Sequence, residues 1–213
     1  MPSPHTPPAR SALPSATALT TRRFMLAALA TAALPARATP PITVEGTTFV
    51  GDVTLADVPL QLNGVGLRAV AWVKGYAAGL YLPRRATTTP QVLALAGPKR
   101  LQLRMLVDVE AEEFVKAFHK GVSRNTPPAD AGRLAERMLR FDTQVRTMGK
   151  LRKRDVVDLD FLPGRGLQMA RNGTARFDAI PGDDLYAALL RCFLGERPAD
   201  PEMKTGLLGG PVG

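Results

Sequence analysis

From residue 43 onward the apolar positions of this chain follow two rhythms. Where they alternate with polar residues, a half-buried strand is predicted; where they recur every three or four residues, an amphipathic helix is. Thr43–Phe49 alternates weakly and reads as an edge strand. Val53–Leu62 follows, and Pro59 confines it to an edge or to a strand start. Asn63–Leu82 is apolar almost throughout and reads as a hairpin turning at Val73-Lys74-Gly75, where glycine supplies the dihedrals a short loop needs. Lys99–Val107 is the clearest strand: Leu101, Leu103, Met105 and Val107 share a core face, while Arg100, Gln102 and Arg104 point outward. Asp155–Leu162, Leu167–Asn172 and Thr174–Ile180 read as consecutive antiparallel strands, the last two joined by the hairpin signal Asn172-Gly173.

Four stretches have the helical rhythm. Thr89 caps a short helix over Gln91–Ala96, with Pro90 at its start. Asp108 is the expected cap of Val109–Arg124, whose first turn holds Glu110, Glu112 and Glu113, placed where the helix dipole favours anions. Asp130 is the expected cap of Ala131–Thr147, where Leu134, Met138, Phe141, Val145 and Met148 form one apolar face. Gly182-Asp183-Asp184 opens Leu185–Leu194, and Arg197–Gly213 reads as a Pro- and Gly-rich tail. Strands, helices, strands and a helix, in that order, predict an α+β fold: an antiparallel sheet with helices packed on one face.

Residues 1–38 change the picture of the chain's fate. Arg22-Arg23, the apolar run Phe24–Leu34 and Ala36-Arg37-Ala38 have the form of a cleavable export signal of twin-arginine type. An eleven-residue run is too short to span a bilayer, which takes about 20. The expected compartment is the periplasm or the cell exterior, with residues 39–213 as one domain. Removing the leader takes four arginines and no acid, so the net charge falls from +9 to +5. Arg133, Arg137, Arg140 and Arg146, with Lys150, Arg152, Lys153 and Arg154, give one basic surface without interleaved aromatics, so nucleic-acid stacking has no support; it reads as a solvated face, with an anionic membrane surface or an acidic partner as the alternative contact. Cys192 is the one cysteine, and His119 the one histidine beyond the leader, so no multi-His or Cys metal site is expected and no cofactor is implied. His119 reads as a core-edge or surface residue.

Arg68 is the chemically distinctive residue. It sits inside the apolar hairpin, with no Asp or Glu between it and the hairpin's end. A hairpin loop centred on Lys74 would pair Arg68 with Leu80 and Trp72 with Tyr76, which lines Arg68, Trp72, Tyr76 and Leu80 along one face. Arg68 and Tyr76 would then lie roughly 13 Å apart along the strands, at ~3.3 Å per residue. An unpaired guanidinium on an apolar face is costly. Either an anionic or carbonyl ligand supplies the partner, or backbone carbonyls and water do.

Gly64-Val65-Gly66-Leu67-Arg68 and Val73-Lys74-Gly75-Tyr76-Ala77-Ala78-Gly79-Leu80-Tyr81-Leu82 resemble the signature of the chalcone isomerase-like superfamily, in its bacterial and fatty-acid-binding branches. The resemblance continues through Leu101–Asn125 and Asn172–Gly209. It implies a ligand cleft between sheet and helices, with Arg68 and Tyr76 holding the carboxylate of a small amphipathic ligand such as a fatty acid, and Trp72, Leu80 and Phe114 beside it. The alternative it implies is an intramolecular lyase, a cyclising isomerase using Arg68 and Tyr76. Against that, Tyr76 stands where the plant enzymes place a catalytic Thr, Phe114 replaces their catalytic Tyr, and Gly121 the following Asn. Phe cannot donate a hydrogen bond.

Overall fold

The computed structural model describes residues 39–70 and 73–212. The leader and Trp72 lie outside the described residues. Nine strands and five helices follow. A seven-stranded antiparallel meander is formed by β3 (Asp52–Leu55), β4 (Val58–Val70), β5 (Val73–Leu82), β6 (Lys99–Met105), β7 (Val156–Leu162), β8 (Gly166–Arg171) and β9 (Thr174–Ala175), neighbours in sequence being neighbours in space. Helices α2 (Ala111–Asn125), α3 (Pro128–Met148) and α4 (Asp183–Leu194) bury their apolar stripes on one face of it. There Leu101, Leu103 and Met105 of β6 meet Val115 and Phe118 of α2, Phe141 of α3 and Leu189 of α4 in one core. Short α1 (Thr89–Ala94) is capped by Thr88, one residue before the expected cap.

Several local expectations are corrected. Thr43–Phe49 is two strands, β1 (Ile42–Val44) and β2 (Thr47–Phe49), forming a separate small sheet through a turn in which Glu45 and Gly46 both take positive φ. Val53–Leu62 is likewise split at Ala56 and Asp57, both of positive φ. Asp108 does not cap α2, which starts after Glu110; its carboxylate accepts the Lys153 N–H at 2.9 Å instead. The outward face of β6 is not a solvated face. The β1–β2 hairpin drops Phe49, fully buried, onto a second cluster with Leu62, Leu67, Ala77 and Tyr81. On that face Arg100 meets Asp160 by two bonds of 2.7 Å, and Gln102, 7% exposed, meets Asp158 at 2.8 Å. Burial pushes the Tyr81 phenol in this cluster up to about 12.

The hairpin register differs from the expected one. Val70 pairs with Val73, and a bulge between Arg68 and Ala69 brings Arg68 directly opposite Tyr76. Two features of β4 set this up. A second irregularity falls at Asn63, 3% exposed, whose side chain donates to Ala86 O and Leu207 O and accepts the Ala86 N–H. The tail, moreover, is not irregular: Asp200 caps a fifth helix, α5 (Pro201–Leu207), with Pro201 in its first turn. This helix packs on β4 so closely that a Cβ at Gly66 would stand 2.4 Å from Met203 O. Only a residue without a side chain fits there.

Among the described residues no helix is long and apolar enough to cross a membrane, and no group of His, Cys, Asp and Glu could hold a metal ion. The expected basic surface of α3 is interrupted by carboxylates: Arg133 pairs with Asp130, Arg137 with Asp184, Arg140 with Glu136 and Arg146 with Glu112.

Candidate functional site

The antiparallel register places Arg68 and Tyr76 as cross-strand partners at the end of the β4–β5 ribbon, on the helix side of the sheet. Partners of this kind stand about 4.5–5.5 Å apart at Cβ, far closer than the two-pair separation expected from the sequence. Across from them runs α2. Its residues Glu113, Phe114, Ala117, Lys120, Gly121 and Arg124 recur at helical spacing and line a cleft of about 280 Å³ with Arg68 and Tyr76. Arg197 and Ala199, from the link between α4 and α5, close the third side. The Tyr76 and Phe114 rings lie with centroids 6.0 Å apart and planes tilted by 30°, giving the cleft an aromatic wall.

Arg68 is partly buried, its side chain 28% exposed. One of its terminal nitrogens donates to Ala69 O at 2.8 Å and to Asp200 Oδ2 at 3.3 Å. Of the two partners the sequence left open, a backbone carbonyl is met at Ala69, and Asp200 adds a carboxylate that neither reading included. The missed partner comes from 132 residues along the chain, so no local pattern could show it. Asp200 is already committed as a cap: its Oδ1 accepts the N–H groups of Glu202 at 3.0 Å and Met203 at 3.2 Å. With Ala69 O and Asp200 both met by one terminal nitrogen, three of the five guanidinium N–H donors are left without a bond among the described residues.

Electrostatically the cleft remains cationic. Lys120, Arg124 and Arg197 face it with Arg68, against Glu113, which is itself bonded to Lys116 at 2.9 Å. Arg124 and Arg197 also line a larger open groove of about 860 Å³, which adds Arg191 and Lys204. Burial pushes the Tyr76 phenol well above its ordinary value, opposed by the Arg68 charge. Tyr76 is thus a neutral hydrogen-bond donor at neutral pH and the one hydroxyl in the cleft lining. Under the floor, Gly121 lets α4 approach: a Cβ there would stand 2.6 Å from Cys192 Sγ. Burial pushes that thiol up to about 12, so Cys192 stays protonated and unreactive.

Of the residues expected from the sequence, the structure brings together Arg68, Tyr76 and Phe114. Leu80 is fully buried in the main core and does not line the cleft, because the true register puts it opposite Gly64 instead of Arg68. Trp72 lies outside the described residues. His119 has a partner invisible in the sequence: its Nε2 lies 2.8 Å from Oδ2 of the buried Asp142 on α3. The pair ties α2 to α3 and is not among the cleft-lining groups. Lys120 and Arg124 were legible in principle, since they share the α2 face that carries Phe114 and Gly121; Arg197 lies in a loop and gave no signal.

Comparisons with known proteins bear on this geometry. A family model described as chalcone isomerase-like matches residues 41–209. Among solved structures, an Arabidopsis thaliana fatty-acid binding protein is similar with a TM-score of 0.60 and 16% identity, over 79% of this chain and 95% of that one. No curated protein sequence matches the chain.

Proposed function

Starting from the chain's membership of the chalcone isomerase-like family, we propose that it is a binding protein whose cleft takes a small amphipathic carboxylate, such as a fatty acid. The supporting observation is the cleft itself: about 280 Å³, walled by Tyr76 and Phe114, and ringed by Arg68, Lys120, Arg124 and Arg197. Its volume sits just under the ~300–1,000 Å³ usual for small-molecule sites, so it suits a carboxylate head and the first part of an apolar tail. Guanidinium–carboxylate bonds are charge-assisted and worth ~1.5–3 kcal/mol each. Tyr76, kept protonated, can donate a further bond. The similar Arabidopsis structure is named for fatty-acid binding, which agrees with this reading.

Catalysis has less support. A cyclising lyase must stabilise a developing enolate with positioned donors, and the wall opposite Tyr76 is Phe114, which has none. Incubation with naringenin chalcone should leave its visible band unchanged; rapid protein-dependent decay would overturn the preference for binding. The same reading includes export of residues 39–213 to the periplasm, which cell fractionation and the mass of the mature N-terminus would test. Contact with an anionic membrane surface draws little support, because the α3 arginines have carboxylate partners.

The direct test is to isolate the protein from its own host and identify bound material by native mass spectrometry. A small carboxylate with an apolar tail is expected. An empty cleft, together with no saturable uptake of medium-chain fatty acids, would contradict the proposal.

A further inference from the structure

At the far end of the sheet stands a lysine that the cleft does not use. Lys99 opens β6, six residues from Met105, which pairs with Tyr76. It is therefore about 20 Å from the Arg68 cleft at ~3.3 Å per residue. Lys99 is 5% exposed. Its Nζ lies 4.9 Å from the centroid of the Phe161 ring. Among the described residues no carboxylate lies within 4.0 Å of it and no hydrogen bond reaches it. The stem is thus packed away while the amine, with no protein partner, keeps its contact with solvent at the cavity.

The amine borders a cavity of about 290 Å³, lined by Leu93, Leu95, Phe161, Tyr186 and Leu190. Two other titratable groups face that cavity, both from α4. The Tyr186 hydroxyl is spent on Leu159 O at 3.3 Å. Asp183 lies exposed at the rim. Burial lowers the Lys99 pKa and Asp183 partly restores it. An anionic ligand would meet the Asp183 charge and find no second side-chain donor, while a neutral electrophile meets a partly desolvated amine. Lysines activated in this way are the ones that form Schiff bases.

We propose that this cavity is a site for a small apolar aldehyde, held reversibly as an imine on Lys99. The Nζ lone pair attacks the carbonyl carbon, and the carbonyl π electrons move to oxygen. That oxygen takes the proton lost from nitrogen, giving a carbinolamine. Loss of its hydroxyl with a proton, as water, leaves the C=N bond. No oxidant or reductant is consumed.

Burial alone makes the opposite prediction, that Lys99 is the slowest of the chain's seven lysines to react. The test is to expose the full protein briefly to limiting benzaldehyde with sodium cyanoborohydride, which traps the imine, and to map benzylated lysines by peptide mass spectrometry. Lys99 should be labelled about tenfold faster than exposed Lys120 and Lys153, as expected for a desolvated amine. Lys99→Arg, which keeps the charge without a nucleophilic amine, should abolish the fast phase alone. A polycyclic aldehyde too large for the cavity should show no preference for Lys99. Labelling of Lys99 slower than Lys120, or only after unfolding, would overturn the proposal, as would an undiminished preference for the bulky aldehyde.

Discussion

Two arginines of one sheet, on strands β4 and β6 with β5 between them, meet opposite fates. Arg100 points to the outer face and lies in register with Asp160, which takes it by two bonds of 2.7 Å, with Asp158 at 3.7 Å behind. Arg68 points to the helix face and lies in register with Tyr76; its one carboxylate among the described residues is Asp200, at 3.3 Å and shared with the cap of α5. Both side chains are part-buried, at 17% and 28% exposed. What separates them is the cross-strand partner. A carboxylate in register closes the first into a structural pair, while a tyrosine in register leaves the second with free donors at the mouth of a cleft. An arginine inside an apolar strand is therefore a functional signal only once its cross-strand neighbour is known.

The sharpest way to break this contrast is to remove the closed partner. Arg100→Ala leaves Asp160 and Asp158 buried without their cation, a change that costs about 3–5 kcal/mol. Burial already holds the Asp160 carboxyl above its ordinary value, with Arg100 pulling it down, so the variant raises it further. An acid with a raised folded-state pKa weakens the fold while ionised, and that loss is relieved as pH falls through the folded value. Urea unfolding should therefore show a large deficit at neutral pH, partly recovered on acidification. A deficit independent of pH would mean that lost packing, not the stranded carboxylates, is responsible.

A smaller effect is expected on the other face. Gly66→Ala drives a Cβ into Met203 O and should cost about 1–3 kcal/mol by overpacking. Because the clash falls on α5, the same variant should unseat Asp200 from Arg68. A neutral result in denaturant unfolding would show that α5 shifts freely and does not fix the Arg68 environment.

The mildest change tests the sharing of Asp200. Serine is as good a cap as aspartate, so Asp200→Ser should alter stability by only a few tenths of a kcal/mol while freeing Arg68 from its counter-charge. Carboxylate affinity should rise, by up to about tenfold, which is 1.4 kcal/mol. Weaker binding in a fatty-acid titration would mean that Asp200 orients Arg68 more than it competes for it.

Much of the architecture could be read from periodicity. The strands Lys99–Val107 and Asp155–Leu162 and the helical faces of Phe114–Val122 and Leu134–Met148 needed only their apolar spacing. Turn chemistry was harder. Ala56 and Asp57 adopt positive φ without the glycine or asparagine that announces it, and the bulge after Arg68 shifted the hairpin register. One signal is explicit in the sequence: Asp200-Pro201-Glu202 has cap, first-turn proline and acidic first turn, the mark of a helix start. That signal marks α5 but not the pairing of Asp200 with Arg68. The His119–Asp142 contact spans 23 residues and the Arg68–Asp200 contact 132, and pairings at such separations are set by packing, not by local pattern.

The account rests most on Arg68 as the anchor of a bound carboxylate. Wild type and Arg68→Ala, purified side by side, should be extracted and their fatty acids quantified, then titrated with a medium-chain fatty acid. Loss of a charge-assisted bond of ~1.5–3 kcal/mol predicts at least about tenfold weaker binding and a matching fall in co-purified lipid. Equal lipid content and equal affinity in the two proteins, with the fold intact, would contradict it.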